Sequence, residues 1–278
     1  MEIQITTLSE NTASRQGMTG EWGLSLLVSL PDINILFDTG GGISAVQNAA
    51  ALGIDLSCVD KIVLSHGHPD HTGGLREVLA RMKKEVEVIA HPDIWSSKQV
   101  RFPGQQEAYA GIPFRREVLE SLGARFNLAA QPVHITEHVM TTGEIPMTSG
   151  YEQVDTYFFV KQGDVLEPDT FTDDLALIVD TDFGLVIILG CAHRGIVNTL
   201  RHAQNVTGKE LVYAAIGGTH LLHASNERME MTIAELREMG IQRLGASHCT
   251  GSNASAQLTQ AFEGIFFANN AGTRFTLP

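Results

Sequence analysis

The feature that most constrains the fold of this chain is a histidine-rich turn between a strand and a helix. The turn reads SHGHPDHTGG over residues 65–74. The apolar run Ile62–Leu64 before it predicts a strand, and the apolar residues after it recur at helical spacing. That helical face consists of Leu75, Val78, Leu79 and Met82. The polar side chains of the turn are therefore expected at the end of a strand, beside the start of a helix.

The side chains in this turn are those that bind divalent metal ions. His66 and His68 are two residues apart in an extended segment, so their rings can project the same way. Pro69 stiffens the chain and puts Asp70 and His71 at the helix start, where a second metal could bind. Neutral imidazole and carboxylate suit zinc and similar ions, which lower the pKa of bound water to about 7. The alternative is a polar helix-capping loop with incidental histidines, which would leave four donors in six residues unused.

The order of the predicted elements is that of an α/β protein. Strand-like and helix-like segments alternate in two halves, and a proline-rich stretch separates them. Six of the nine prolines lie between His91 and Asp174, which predicts an irregular insertion or lid at about 91–174 within one domain of residues 1–278. Alternation then returns, with a predicted hairpin turn at Asp182–Gly184. We expect two sheets packed face to face, with helices outside.

Composition and charge narrow the class of partner. Hydrophobic residues make up 43% of the 278 residues, and 32 acidic against 19 basic residues give a net charge of −13. This balance disfavours nucleic acid and anionic membranes, because both are bound mainly through basic surfaces. The three cysteines do not suggest a disulfide framework, the N-terminus does not resemble a signal peptide, and the apolar run Leu185–Leu189 is too short for a membrane helix. We expect a cytoplasmic protein that acts on a small-molecule substrate, and the oligomeric state stays open.

The HxHxDH turn after a strand, together with Asp38 at the end of ILFDTG, resembles the metallo-β-lactamase superfamily. The resemblance implies an αβ/βα four-layer sandwich with one or two metal ions at the sheet edges. It also implies later ligands just past apolar strands, in ILGCAHRG and GASHCTG. The resemblance implies two ligand sets. The first consists of His66, His68 and His193, and the second of Asp70, His71 and His248.

Several further phrases resemble one branch of this superfamily, the synthases that form a dihydropterin-methyl-ribofuranosyl-aminobenzene phosphate. These phrases are GCAHRGIVNT, GGTHLL, SHCTG and TGEIPMTSGYE. The resemblance implies a transferase that condenses a dihydropterin diphosphate with an aminobenzene ribofuranosyl phosphate.

Other residues near these strand ends each have two interpretations. Cys191 stands where many superfamily members supply a bridging aspartate, so its thiolate could be an extra metal ligand, or it could be a small buried residue. Asp173 and Asp174 are alternative bridging candidates, unless they are solvated loop residues. Asp38 either orients a ligand histidine through a hydrogen bond or forms an ordinary turn. His220 in GGTHLL is either a substrate contact or general acid, or a structural hydrogen-bonding residue.

The leading functional prediction is a metal-dependent hydrolase, in which a metal-bound hydroxide attacks a carbonyl, phosphoryl or related electrophile. Asp70 and His220 are the expected catalytic side chains. We expect one or two divalent ions, with zinc first and iron or manganese as alternatives. The transferase is the first alternative function, and a non-catalytic metal-binding or sensing module is the second.

Overall fold

The structure, a computed structural model, describes residues 2–277, which form three β-sheets and flanking helices. The strands are β1 (Ile3–Ser9), β2 (Ser25–Ser29), β3 (Asn34–Phe37), β4 (Lys61–Val63), β5 (Val86–Ala90), β6 (Lys98–Val100), β7 (Ala108–Tyr109), β8 (Ala124–Leu128), β9 (Val139–Thr141), β10 (Phe158–Gln162), β11 (Val165–Pro168), β12 (Ala176–Thr181), β13 (Gly184–Leu189), β14 (Val212–Gly218), β15 (Arg243–Ser247) and β16 (Arg274–Leu277). The α-helices are α1 (Ser44–Ala51), α2 (Pro69–Thr72), α3 (Leu75–Met82), α4 (Arg116–Ser121), α5 (Ile196–Thr207), α6 (Asn226–Glu238) and α7 (Ser252–Ala261). Across residues 2–277, none of the helices has the length and apolar character needed to span a membrane.

Two large sheets form the centre of the molecule. The first has seven strands in the order β16-β1-β2-β3-β4-β5-β8, and the second has five in the order β15-β14-β13-β12-β9. In the first sheet, β3, β4, β5 and β8 are parallel to one another. In the second sheet, β13, β14 and β15 are parallel to one another. Each sheet therefore collects several strand carboxyl ends at one edge.

Successive side chains of a strand point to opposite faces of its sheet, so each sheet packs on the other sheet with one face and on helices with the other. In β13, Val186 and Ile188 face the first sheet, while Ile187 and Leu189 pack with the helices α5, α6 and α7. Helices α1, α3 and α4 cover the opposite face of the first sheet in the same way. A strand that is buried on both faces reads as a continuous apolar run, as GLVIIL does. The layers are helix, sheet, sheet and helix, which confirms the α/β sandwich of the metallo-β-lactamase type.

The proline-rich region, residues 91–174, is called the central segment below, and it is more regular than its prolines predicted. Strands β6, β7, β10 and β11 form a separate four-stranded sheet, in the order β11-β10-β6-β7. Strands β8 and β9, also from this segment, complete the edges of the two large sheets. Pro168 ends β11, an edge strand, where the missing N–H of proline interrupts no ladder. The segment therefore combines six short strands with irregular connections.

Candidate metal centre

The predicted metal ligands lie together at the edge of the sandwich where parallel strands of both sheets end. Asp38 follows β3, and the histidine-rich turn follows β4. His193, His220 and His248 follow β13, β14 and β15 in the second sheet. Because adjacent parallel strands end at the same edge, a few residues after each strand are enough to bring these side chains into one site.

Three histidines form the first donor set, called the all-histidine group: His66, His68 and His193. Each offers one donor atom, and these atoms lie within 4.8 Å of one another. Nε2 of His66 is 3.2 Å from Nε2 of His193. Burial lowers the pKa of all three rings, that of His68 to about 3, so the rings are neutral. Neutral imidazole is the form that binds a metal ion.

Asp70, His71 and His248 form the second donor set, called the aspartate-containing group, within the same 4.8 Å limit. Nε2 of His248 is 3.2 Å from Nε2 of His71 and 3.3 Å from Oδ2 of Asp70. Burial lowers the pKa of His71, but the carboxylates of Asp38 and Asp70 outweigh it and raise the pKa to about 9. Burial raises the pKa of Asp70, yet the neighbouring histidines hold it below its usual value. This group therefore attracts positive charge, either a proton or a metal ion.

Asp38 is buried between the two groups and orients a ring of each. Its Oδ2 accepts hydrogen bonds from His71 Nδ1 at 2.6 Å and from the Ser65 hydroxyl at 2.7 Å. Because the Ser65 proton goes to Asp38, the Ser65 oxygen accepts from His66 Nδ1 at 2.9 Å. His66 and His71 therefore both donate from Nδ1 and present Nε2 to the centre. Gly190 makes room for this relay, since a Cβ there would lie 2.1 Å from the Ser65 Oγ.

The spacing of the ring nitrogens fits a divalent metal ion in each group. Zinc–nitrogen bonds of about 2.0–2.1 Å in a tetrahedral site set neighbouring nitrogens roughly 3.3 Å apart, and both facing nitrogen pairs are separated by 3.2 Å. His68 Nε2 is buried with no hydrogen-bond partner among residues 2–277. Unpaired buried nitrogens are unusual and are expected where a cation, not a protein group, completes the site. The donor set therefore fits the divalent cofactor that the sequence predicts.

Cys191 lies between the two groups. Its Sγ is 3.1 Å from Nε2 of His71. The thiol also belongs to a donor set with His66 and His71, and to another with His193 and His220. Cys191 is buried, as one interpretation of the sequence held, but it is buried against the predicted ligands and lines the cavity beside them.

Asp173 and Asp174, the other bridging candidates, are buried beside the site and stay outside every donor set found in the described part of the chain. Asp173 accepts a hydrogen bond from Lys98 Nζ at 2.8 Å and from the Gly67 N–H at 2.9 Å. Asp174 accepts from the Arg194 N–H at 2.9 Å, and burial raises its pKa to about 7. Asp173 therefore braces the turn backbone between the two histidines of the HxH pair.

A cavity of about 270 Å³ opens onto both donor groups. His68, Asp70 and His193 lie at its base, and aromatic rings form much of its wall. These rings belong to Trp22, Phe102, Tyr157 and Phe158. Within residues 2–277 the lining includes no lysine and no arginine. The cavity therefore suits a small molecule with an apolar or aromatic part, and its described basic side chains are histidines.

His220 lines this cavity and is held by residues of the central segment. Its Nε2 is hydrogen-bonded to Asp155 Oδ2 at 2.8 Å, and the Tyr157 hydroxyl donates to the same oxygen at 2.5 Å. Burial lowers the pKa of His220, but the hydrogen bond to Asp155 and the nearby Cys249 outweigh it and raise the pKa to about 10. Its Nδ1 has no hydrogen-bond partner in the described chain. An imidazolium with one free N–H can donate to a bound molecule.

Several residues of the site were not identified from the sequence. Trp22 donates from Nε1 to Asp70 Oδ2 at 3.1 Å. Cys249 forms a donor set with Cys191 and His248, and its only sequence signal is its position next to His248. Asp155 and Tyr157 come from the central segment, where the aromatic run in DTYFFV was the one available signal.

Comparisons with known proteins agree with this geometry. The sequence profile of the metallo-β-lactamase superfamily matches residues 23–204, more than half of the chain. The 7,8-dihydropterin-6-methyl-4-(β-D-ribofuranosyl)-aminobenzene-5′-phosphate synthase of Methanocaldococcus jannaschii is 33% identical over 97% of this chain and 95% of its own length.

Solved structures show the same fold. Tm1679, a metal-dependent hydrolase of the β-lactamase superfamily, superposes with a TM-score of 0.85 at 29% identity over 99% of both chains. The metallo-β-lactamase fold protein YhfI from Bacillus subtilis superposes with a TM-score of 0.58 at 14% identity over 99% of both chains, a likeness of fold alone. With the sequence profile, the whole-length relative and the sandwich architecture in agreement, the chain belongs to the metallo-β-lactamase superfamily.

Proposed function

We propose that this protein is a metal-dependent hydrolase that acts on a small molecule. One observation carries the proposal: two donor groups with metal-ligand spacing both contribute side chains to the lining of a single cavity, beside a histidine held by a carboxylate. A divalent ion bound there supplies Lewis acidity and makes water a nucleophile at neutral pH. Zinc is the ion we expect first, and both groups together provide for two ions.

The side chains around the cavity have distinct roles in this reaction. Asp70 is deprotonated and lines the cavity, so its carboxylate can hold an ion and orient the attacking water by accepting a hydrogen bond from it. His220 donates a proton or hydrogen bond to the leaving atom of the substrate. Asp155 fixes the His220 ring by accepting its Nε2–H, and Tyr157 donates to that same carboxylate. The aromatic wall excludes bulk water and contacts the apolar part of the substrate.

A transferase is the second candidate function, because the similarity to the M. jannaschii synthase covers nearly the whole chain. In that reaction the bound metal ions and His220 would hold the diphosphate, because the described lining contains no lysine and no arginine. A non-catalytic sensing module is less favoured than either enzyme, because it would leave the paired His220 and Asp155 beside the cavity without a use.

The test combines metal content with turnover. His68→Ala and Asp70→Ala should each lose metal and lower hydrolysis of a panel of aryl carboxylic and phosphate esters by at least about a thousandfold, since a bound metal contributes several kcal/mol to the barrier. The matched control is His138→Ala, which removes an exposed histidine and should retain both metal and rate. Circular dichroism checks that each variant folds.

Full activity in a variant shown to have lost its metal would overturn the proposal. Incubation with a dihydropterin diphosphate and the aminobenzene ribofuranosyl phosphate separates the two enzymes. Hydrolysis of the dihydropterin diphosphate would yield pyrophosphate and the pterin alcohol, whereas formation of the condensed product would establish the transferase.

A further inference from the structure

Cys191 shares donor sets with residues of both metal-binding groups. It shares a donor set with His66 and His71, one residue from each group, in which all donor atoms lie within 4.8 Å of one another. It forms a second such set with His248 and Cys249. The Sγ atom is 3.1 Å from His71 Nε2, at a strand end that also carries His193 two residues later.

We propose that Cys191 is a thiolate ligand shared by the two metal positions, which gives this centre a sulfur donor and a preference for thiophilic ions. The inference rests on the metal centre of the proposed function and specifies its chemistry. On binding, the S–H bond breaks, a sulfur–metal bond forms and the proton leaves to solvent. Thiolate favours zinc, cobalt(II) and iron(II) over magnesium, calcium and manganese, which prefer oxygen ligands.

Cys249 positions Cys191 and is not itself a ligand in this proposal. Its thiol donates to the Cys191 carbonyl oxygen at 3.5 Å and accepts from the backbone N–H of His220 at 3.3 Å. The thiol is therefore already used both as a donor and as an acceptor. Gly218 provides the space for the two cysteines, because a Cβ there would lie 2.7 Å from Cys249 Sγ and 3.2 Å from the Cys191 Cα. The loops after β13, β14 and β15 therefore pack tightly around the Cys191 sulfur.

Cobalt(II) substitution tests this assignment without an activity assay. Cobalt bound by any protein ligand absorbs in the visible range, whereas a cobalt–thiolate bond adds charge-transfer absorption in the near ultraviolet. The wild-type protein loaded with cobalt should show both features. Cys191→Ser should lose the charge-transfer band, Cys249→Ser should retain it, and Cys58→Ser, which changes an exposed cysteine, should match wild type.

Cys191→Asp is the second variant, because it restores the carboxylate that the resemblance places at this position. It should keep two cobalt ions and the visible bands, lose the charge-transfer band, and take up a larger share of manganese than wild type when zinc and manganese compete. This variant keeps the test decisive if Cys191→Ser does not fold.

The charge-transfer band persisting in Cys191→Ser or Cys191→Asp would overturn the assignment. Cobalt-loaded wild type with visible bands and no charge-transfer band would also overturn it, and in that case the metal-dependent hydrolase proposal would stand. A wild-type protein that binds no cobalt at all would contradict both the thiolate assignment and the hydrolase proposal.

Discussion

The two halves of the metal centre are braced by different parts of the chain. N-terminal residues hydrogen-bond to the aspartate-containing group: Trp22 donates to Asp70, and the side-chain oxygen of Asn11 accepts from His248 Nδ1 at 3.0 Å. The all-histidine group is instead covered by rings of the central segment. Phe171 stacks on His193 with centroids 3.8 Å apart and planes 13° apart, and Phe158 lies against His68.

This difference shows that the two groups are oriented by different physical interactions. A hydrogen bond to the outer ring nitrogen fixes both the tautomer and the direction of a ligand histidine. Ring stacking restricts the plane of a ring but leaves its outer nitrogen without a partner, as at His193 Nδ1. Substitutions in the central segment should therefore affect one group, and substitutions around Asp38 should affect both.

Lys98→Met should have the largest effect on stability. Lys98 Nζ is buried and pairs with Asp169 at 2.7 Å and Asp173 at 2.8 Å, so its loss leaves two buried carboxylates unpaired. We expect the free energy of unfolding, measured in urea, to fall by about 3–5 kcal/mol. The all-histidine group should lose its metal first, because Asp173 holds the backbone of Gly67 between His66 and His68. Lys161→Met is the control: Lys161 is exposed, and its substitution should change stability by less than about 0.5 kcal/mol. Equal stabilities for the two variants would show that this buried ion pair does not brace the site.

Asp38→Asn and Ser65→Ala should separate the two groups by metal affinity. Asp38→Asn disturbs His71 directly and His66 through Ser65, so both groups should bind metal about 10–100-fold more weakly. Ser65→Ala removes the hydroxyl that links Asp38 to His66 but keeps the Asp38–His71 hydrogen bond, so it should weaken mainly the all-histidine group, by about tenfold. Metal retained per chain after dialysis against graded chelator measures both effects, with Asp164→Asn, an exposed position, as the control. Loss of the same ions in both variants would contradict the relay.

Phe171→Leu should have the smallest effect. The variant removes the ring stacked on His193, and such a contact contributes about 0.5–1.5 kcal/mol, or roughly two- to twelvefold in affinity. Only the all-histidine group should bind its ion more weakly in the same dialysis assay. Phe183→Leu, in the exposed hairpin turn between β12 and β13, should leave retention unchanged. An equal loss from both groups would mean that Phe171 supports the fold as a whole.

The sequence predicts where the candidate ligands lie better than what surrounds them. Each candidate ligand lies in the turn or short helix that follows a strand, and parallel strands end at one edge, so local patterns are sufficient to bring them together. The central segment follows no such rule: Phe158 pairs with Val100 across β10 and β6, far apart in sequence, and no local periodicity specifies that register. Asp155, Tyr157 and the Lys98 ion pairs depend on this sheet, so sequence patterns did not reveal them. Prolines also favoured an irregular segment, although edge strands accommodate them.

The backbone conformation around the centre has a cost in folding free energy. Asp38, Ala192, His220 and His248 have φ values of 49–57°, in the left-handed region that residues other than glycine rarely adopt. Such conformations cost about 1–3 kcal/mol each and persist only where the surrounding structure imposes them. Here the packing of the strand ends has to impose them, because each lies just past a strand of the sandwich. Part of the free energy of folding is therefore held as backbone strain beside the candidate ligands.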